Sequence, residues 1–167
     1  MAASSVVAMH DGPITPATLA RDEAGVDWTG RPYEHDPDAE SFGREAAAAL
    51  GVEPERVFKT LLADVDGDLV VGIVPVTSKL GLKALAAAVG GKKATMARPG
   101  VAERRTGYVV GGISPLGQKR AHPTVLDETA ELYDTVFVSG GRRGFDIELS
   151  PADLIRLTDA TIADIAR

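Results

Sequence analysis

A lysine set among apolar neighbours is the first residue of this sequence that suggests chemistry. Lys59 lies in the stretch 56–63, Arg-Val-Phe-Lys-Thr-Leu-Leu-Ala, which has strand propensity, and it shares one strand face with Val57 and Leu61. Such a lysine either extends its ammonium group past the edge of a sheet or is partly desolvated beside a bound anion or a polarised carbonyl. The residues alone leave both interpretations open.

A glycine-rich stretch, residues 106–120, offers backbone rather than side-chain chemistry. The strand-like valines 109–110 run into Gly111 and Gly112, and a proline follows Ser114. Glycine allows backbone N–H groups to come close to a ligand, and the proline prevents a helix from starting at the serine. The stretch therefore predicts either a loop that holds a carbonyl or phosphate oxygen, or a tight turn between strands.

A third group combines glycines, arginines and a carboxylate after a predicted strand. It runs Ser-Gly-Gly-Arg-Arg-Gly over 139–144, and Asp146 follows two residues later. Backbone donors, guanidinium groups and a carboxylate suit contacts to a phosphate or a ribose, which makes Ser139, Gly140 and Arg142 candidate ligands. A hairpin turn with exposed arginines explains the same residues.

The sequence does not match the motifs of phosphate-binding loops, serine hydrolases or metal sites. Residues 112–119 resemble a phosphate-binding P-loop, but Gln118 and Lys119 stand where that motif needs its lysine and its hydroxyl residue. Ser114 lacks the second glycine of a nucleophile elbow. The three histidines have no metal-type spacing, and the absence of cysteine excludes disulfides and thiolate chemistry in the protein. We expect no metal and no cofactor.

Charge is distributed unevenly along the chain. The net charge is −6; residues 1–75 contain 5 Lys/Arg and 14 Asp/Glu, whereas residues 76–167 contain 13 and 10. An acidic chain is a poor general nucleic-acid binder, although basic pairs between 92 and 143 could hold phosphates at one end of a specific RNA. No stretch approaches the ~20 apolar residues of a membrane span, and no signal peptide is evident, so we expect a cytoplasmic protein.

Local signals predict helices and short strands in alternation. Helices are expected where a capping residue or proline begins a run of helix formers, at 15–25, 41–50, 79–89 and 99–105, and from 150 onwards. Strands are expected where β-branched and aromatic residues gather or alternate with polar ones, at 28–33, 56–63, 69–76, 124–126, 135–139, 145–149 and 160–166. This mixture predicts one α+β domain with a curved, largely antiparallel sheet.

Four stretches together resemble the YbaK/EbsC family: 33–37, 57–62, 106–119 and 138–149. The likeness is greatest to the YbaK-type Cys-tRNA(Pro) deacylases, which are relatives of the editing domain inserted in bacterial prolyl-tRNA synthetases. It implies a curved, mixed, barrel-like sheet surrounded by helices over residues 15–167, after a poorly ordered extension at 1–14. It also implies an enzyme that removes cysteine from the acceptor end of mischarged Cys-tRNA(Pro), with prolyl-tRNA synthetase as partner.

Site residues carry over from the resemblance position by position. Lys59 matches the family's essential lysine, and we expect Gly111 and Asp146 to complete the catalytic set. At Phe58 the sequence departs from the family's motif, in which tyrosine is frequent. This departure concerns the fine substrate specificity rather than the activity. The expected substrate-binding residues are Tyr33, Phe42, Thr60, Gly112, Ser114, Ser139, Gly140 and Arg142.

The expected mechanism follows from what the site lacks. Backbone N–H groups near Gly111 and Gly112 would stabilise the oxyanion, and no general base is evident. The resemblance implies that the cysteinyl thiol of the substrate attacks its own carbonyl, which agrees with the absence of a nucleophile and a general base in the protein. Two alternatives remain open: a deacylase for Ala-tRNA(Pro) or another mischarged tRNA, and a non-catalytic tRNA- or nucleotide-binding module.

Overall fold

Helix α1 shows how local capping signals are realised in the structure, a computed structural model that describes residues 12–167. It spans Pro16–Ala24; the Thr15 hydroxyl accepts a hydrogen bond from the backbone N–H three residues later, and Gly25 ends it with a left-handed backbone (φ 66°). The predicted helix is confirmed at both ends. The extension predicted over 1–14 lies mostly outside the described residues and stays a prediction.

Elements of the first half lie close to where the sequence predicts them. Ser41 caps the second helix, and Gly51 ends it in the left-handed conformation. The predicted hairpin is confirmed, and it turns through Asp66 and Gly67, both at positive φ. The elements are β1 (Trp28–Pro32), α2 (Phe42–Leu50), a 3₁₀ turn (Pro54–Arg56), β2 (Phe58–Val65) and β3 (Asp68–Pro75).

The second half departs from prediction in its first helix and in an additional strand. Its first helix begins at Leu82 rather than at Lys79, and a short strand follows that the sequence did not predict. The elements are α3 (Leu82–Ala88), β4 (Ala94–Met96), α4 (Pro99–Thr106), β5 (Thr124–Asp127), a 3₁₀ turn (Glu128–Leu132), β6 (Val136–Arg142), β7 (Phe145–Leu149), α5 (Pro151–Thr158) and β8 (Thr161–Ala163).

The glycine-rich stretch is a loop. Residues 107–123 form neither helix nor strand, and the side chains of Val109 and Val110 are 54% and 37% exposed. The strand-like expectation for these two valines is therefore wrong. Their backbone has no neighbouring strand to pair with, so propensity alone does not decide their conformation.

The strands form two sheets. One has the order β1-β7-β6 and is antiparallel throughout; the other has the order β4-β2-β3-β5-β8 and is mixed, since β5 runs parallel to both β3 and β8. An isolated bridge between Val57 and Phe137 joins the two sheets. The predicted α+β class with a mixed, largely antiparallel sheet is confirmed. The described strands do not form one closed hydrogen-bonded barrel.

The largest apolar cluster lies between the sheets and binds them together. Phe58 and Ile73 come from the mixed sheet, whereas Phe145 and Ile147 come from the antiparallel one, and each is at most 2% exposed. Burial of such side chains is the main force that holds the two sheets in register. Within residues 12–167, no helix combines the length and the hydropathy needed to cross a bilayer.

Candidate active site

A cavity of about 410 Å³ opens beside the start of β2, where both sheets and two helices meet. Strand β2 forms one wall, and the N-terminal turn of α2 and the glycine-rich loop form others. The size suits a small organic ligand, and the lining combines apolar side chains with a few polar groups. The segments that contribute are 40–43, 57–62, 96–97 and 110–111, together with single residues at 33, 46, 76, 99, 102, 113, 139 and 146.

The cavity brings together most of the residues that the sequence singled out. They come from separate segments of the chain, which only the tertiary fold places around one space. The predicted site residues in its wall are Tyr33, Phe42, Lys59, Thr60, Gly111, Ser139 and Asp146.

Lys59 lies half-buried in the cavity wall, opposite Val74 of β3 in the hairpin register. Within residues 12–167, its ammonium group forms no ion pair and no hydrogen bond. Burial lowers the pKa of Lys59, and the nearby cations Arg44 and Lys79 lower it further. The structure therefore favours the desolvated lysine over one that extends into solvent from a sheet edge.

Asp146 is the buried carboxyl group of the site. It lies on β7 between Arg31 of β1 and Ser139 of β6, is 6% exposed, and its side chain makes no hydrogen bond with another described residue. Burial raises the pKa of Asp146 to about 7, because the charged form loses its hydration. The carboxyl group therefore changes charge close to neutral pH.

The hydroxyl groups of Thr60 and Tyr33 add to the polar part of the wall. The Thr60 hydroxyl is buried and has no hydrogen-bond partner among the described residues, which is costly unless a ligand supplies one. Burial, with a smaller contribution from the nearby Asp146 carboxylate, raises the pKa of Tyr33 to about 12. Tyr33 therefore stays a neutral phenol, able to donate or accept a hydrogen bond.

Gly111 presents bare backbone to the cavity. Its φ is +89°, and a Cβ built on it would lie 2.7 Å from Nε of Arg143 and 3.0 Å from the ring of Phe42. Its N–H donates to no other described residue, whereas the N–H of Gly112 donates to the carbonyl of Val109 at 2.8 Å. Of the two glycines expected to donate to an oxyanion, only Gly111 therefore has its N–H available.

The remaining predicted ligands lie outside the cavity wall. Gly112 packs against the backbone of Arg142, and the fully buried Ser114 hydroxyl accepts a hydrogen bond from a backbone N–H of its own turn. The carbonyl of Gly140 accepts from the Thr15 hydroxyl, and Arg142 is exposed. Their predicted contacts to substrate stay predictions, and the geometry gives them structural contacts instead.

Sequence reasoning missed Arg143, the neighbour of Arg142. Its Nε and Nη2 donate to the carbonyl of Val110 at 3.0 and 2.6 Å, and its guanidinium lies 4.8 Å from the centre of the Phe42 ring. No local signal distinguishes the two adjacent arginines. The pairing of β6 with β7 has a register irregularity between Ser139 and Arg142, just before Arg143.

Comparison with known proteins adds an independent observation. The family model described as the aminoacyl-tRNA editing domain matches residues 36–157, which carry all of the cavity residues discussed above except Tyr33. The chain belongs to this family. Membership in the aminoacyl-tRNA editing family confirms the resemblance that the sequence motifs indicated.

Relatives of this editing domain agree with the assignment. EbsC of Enterococcus faecalis, which carries the provisional name Cys-tRNA(Pro)/Cys-tRNA(Cys) deacylase, is 43% identical over 121 residues, or 71% of this chain and 73% of that protein. The uncharacterized protein YwhH of Bacillus subtilis is 32% identical over 110 residues, or 66% and 70% of the two chains.

Solved structures share the fold of this editing domain over nearly its whole length. A crystal structure provisionally assigned as a trans-editing enzyme for prolyl-tRNA synthetase superimposes with a TM-score of 0.76 at 26% identity, covering 93% of this chain and 99% of that one. The crystal structure of the hypothetical protein APE2540 gives a TM-score of 0.82 at 26% identity, covering 92% and 100%.

Proposed function

We propose that this chain is a free-standing aminoacyl-tRNA deacylase that removes cysteine from mischarged Cys-tRNA(Pro). The observation that carries the proposal is the convergence of Lys59, Gly111 and Asp146 on one cavity with hydroxyl groups and an apolar wall. Family membership and the provisional name of the Enterococcus faecalis relative support the same substrate class. The volume suits an aminoacyl group on the terminal ribose.

Each wall of the cavity has a role in this proposal. The N–H of Gly111 stabilises the negative charge that develops on the ester carbonyl oxygen, and Lys59 contributes its positive charge to the same oxygen or to the terminal phosphate. Tyr33 and Thr60 bound the amino-acid side chain. Ser139 and Asp146 bind the ribose or the α-ammonium group of the substrate.

The substrate supplies its own nucleophile in this mechanism. The cysteinyl sulfur attacks the ester carbonyl carbon, the bond from that carbon to the ribose oxygen breaks, and the thiol proton ends on the departing ribose hydroxyl. The products are a four-membered thiolactone and uncharged tRNA. This route needs no general base from the protein, and positioning of the sulfur supplies most of the acceleration.

A comparison of three esters tests the proposed function. We expect tRNA(Pro) charged with cysteine to be cleared on the order of 100-fold faster than tRNA(Pro) charged with serine or alanine, because only cysteine carries an effective internal nucleophile. Rates are measured by single-turnover deacylation. Similar rates for all three would support water-based cleavage, preferential cleavage of alanine would reassign the substrate, and binding without cleavage would favour a non-catalytic module.

Cations beside the cavity provide a means of holding tRNA on an otherwise acidic chain. Arg44 lies on α2 between the lining residues Gly43 and Ala46, and Lys79 follows β3; both are close enough to Lys59 to lower its pKa. Within residues 12–167, the side chains of Arg44 and Lys79 form no ion pair. We propose that they contact phosphates near the acceptor end, and that prolyl-tRNA synthetase contributes the rest of the tRNA selection.

Neutralising these two cations should weaken tRNA binding and leave the chemical step intact. The double variant Arg44→Gln/Lys79→Gln should raise KM for charged tRNA about ten-fold and reduce the slope of log KM against log salt by about one to two. The control is Lys92→Gln/Lys93→Gln, at the opposite end of the β2–β3 hairpin, beside Asp66. An equal effect in both variants would show that net charge, and not its placement, governs binding.

A further inference from the structure

We propose that Arg143 is a positioning residue of this site, which orients the peptide between Val110 and Gly111 so that its N–H faces the bound ester. The proposal rests on the proposed function and concerns how the same site is assembled. Arg143 does not line the cavity itself, and its contacts are to residues that do, Val110 of the loop and Phe42 of α2.

The orientation follows from the geometry of one peptide unit. Arg143 donates twice to the carbonyl oxygen of Val110, at 3.0 Å from Nε and 2.6 Å from Nη2. In a trans peptide, the carbonyl of one residue and the N–H of the next point in opposite directions. The N–H of Gly111 therefore points away from the guanidinium group, and Gly111 itself lies in the cavity wall.

Contacts on either side prevent this peptide from turning over. The N–H of Val110 donates to the Glu103 carboxylate at 2.8 Å, and the N–H of Gly112 donates to the carbonyl of Val109 at 2.8 Å. Rotation of the peptide would break both hydrogen bonds from Arg143. Two donors on the carbonyl also polarise the peptide, which makes the opposite N–H a stronger donor.

The guanidinium group also lies against an aromatic ring. Its Cζ lies 4.8 Å from the centre of the Phe42 ring, at the first turn of α2. Gly111 packs so closely on this pair that a Cβ would approach Nε of Arg143 to 2.7 Å. A planar, forked donor that also stacks on an aromatic ring is specific to arginine, and lysine does not reproduce it.

Kinetic comparison of arginine variants tests the proposal. We expect Arg143→Ala to lower kcat for Cys-tRNA(Pro) by about 10–100-fold with KM changed less than two-fold, because an oxyanion donor is displaced and tRNA binding is not. Arg143→Lys should lose as much, since it keeps the charge and loses the fork. Arg156→Ala, which removes an exposed arginine of α5 outside the cavity wall, is the control and should stay within two-fold of the unchanged protein in both constants.

Amide measurements at Gly111 separate this proposal from the proposed function. In the unchanged protein the Gly111 amide should show a high NMR order parameter, and in Arg143→Ala it should fall while thermal unfolding stays cooperative. If the unchanged protein cleaves no ester, the proposed function fails, and the amide measurement still decides the positioning role. Unchanged Gly111 order in Arg143→Ala, unchanged kcat, or full activity of Arg143→Lys would each overturn it.

Discussion

Replacing Lys59 with alanine should abolish release of cysteine from Cys-tRNA(Pro) while the protein stays folded. The ammonium group is the positive charge in the cavity wall, and loss of such electrostatic stabilisation reduces rates by about 10²–10³-fold. Folding should survive because Lys59 forms no ion pair within the described residues, so its removal leaves no carboxylate without a partner. Single-turnover deacylation and thermal unfolding measure the two effects.

The control for this variant is Lys83→Ala, which removes an exposed cation of α3 outside the cavity wall. It should leave kcat within about two-fold of the unchanged protein, as expected for a screened surface charge.

Because burial lowers the pKa of Lys59, activity of the unchanged protein should also fall at alkaline pH as the amine loses its proton. Normal turnover by Lys59→Ala would remove this lysine from the mechanism.

Asp146→Asn should change the pH dependence of the reaction as well as its rate. Burial raises the pKa of Asp146 to about 7, so the carboxylate that would bind the α-ammonium group forms as the pH rises through neutrality. We expect the variant to be about 10–100-fold slower at pH 8 and to lack the inflection near pH 7. Rate profiles from pH 5.5 to 8.5 check this; an inflection that persists in the variant would assign it to another group.

The same substitution should stabilise the protein at high pH. The pKa of Asp146 in the folded protein is raised above its value of about 3.9 in the unfolded chain. The free energy of unfolding is therefore unaffected by this group below pH ~4, where both states are protonated, and it decreases as the pH rises through about 7. Asp146→Asn should therefore increase the free energy of unfolding at pH 8 by about 1–4 kcal/mol and have little effect at pH 4. Destabilisation at both pH values would indicate a structural carboxylate.

Opposite effects on stability and activity would identify a residue kept for function. A buried carboxyl group with no hydrogen bond to another described residue is a cost to folding. Proteins retain such groups where the reaction needs them, and substitution then gains stability at the expense of activity. Asp146 fits this description better than any structural role that its contacts suggest.

Helix ends could be predicted because capping is local. Thr15, Ser41 and Ser150 each accept a hydrogen bond from a backbone N–H within the first turn, and Gly25 and Gly51 end helices in the left-handed conformation. These signals need no information from elsewhere in the chain. The corresponding helices accordingly begin within a residue or two of the prediction, and the first two also end within a residue or two of it.

Errors in the prediction lie where pairing is long-range. The third helix starts late because the backbone of Lys79 exchanges two hydrogen bonds with that of Arg167, at 2.7 and 2.8 Å. Strand β4 (Ala94–Met96) exists only through its pairing with β2. Val109 and Val110 have strand propensity but no partner strand, and Arg143 occupies the carbonyl of Val110.

The sequence by itself determined the class of fold, the helix ends and the residue types of the site, since these depend on local pattern and on motifs with a recognisable order. Only the tertiary structure decided that Lys59, Gly111 and Asp146 share a cavity, that Asp146 has a pKa near 7, and that Arg143 rather than Arg142 holds the loop. Convergence, burial and the direction of a side chain depend on residues far apart in the chain, and no local pattern contains that information.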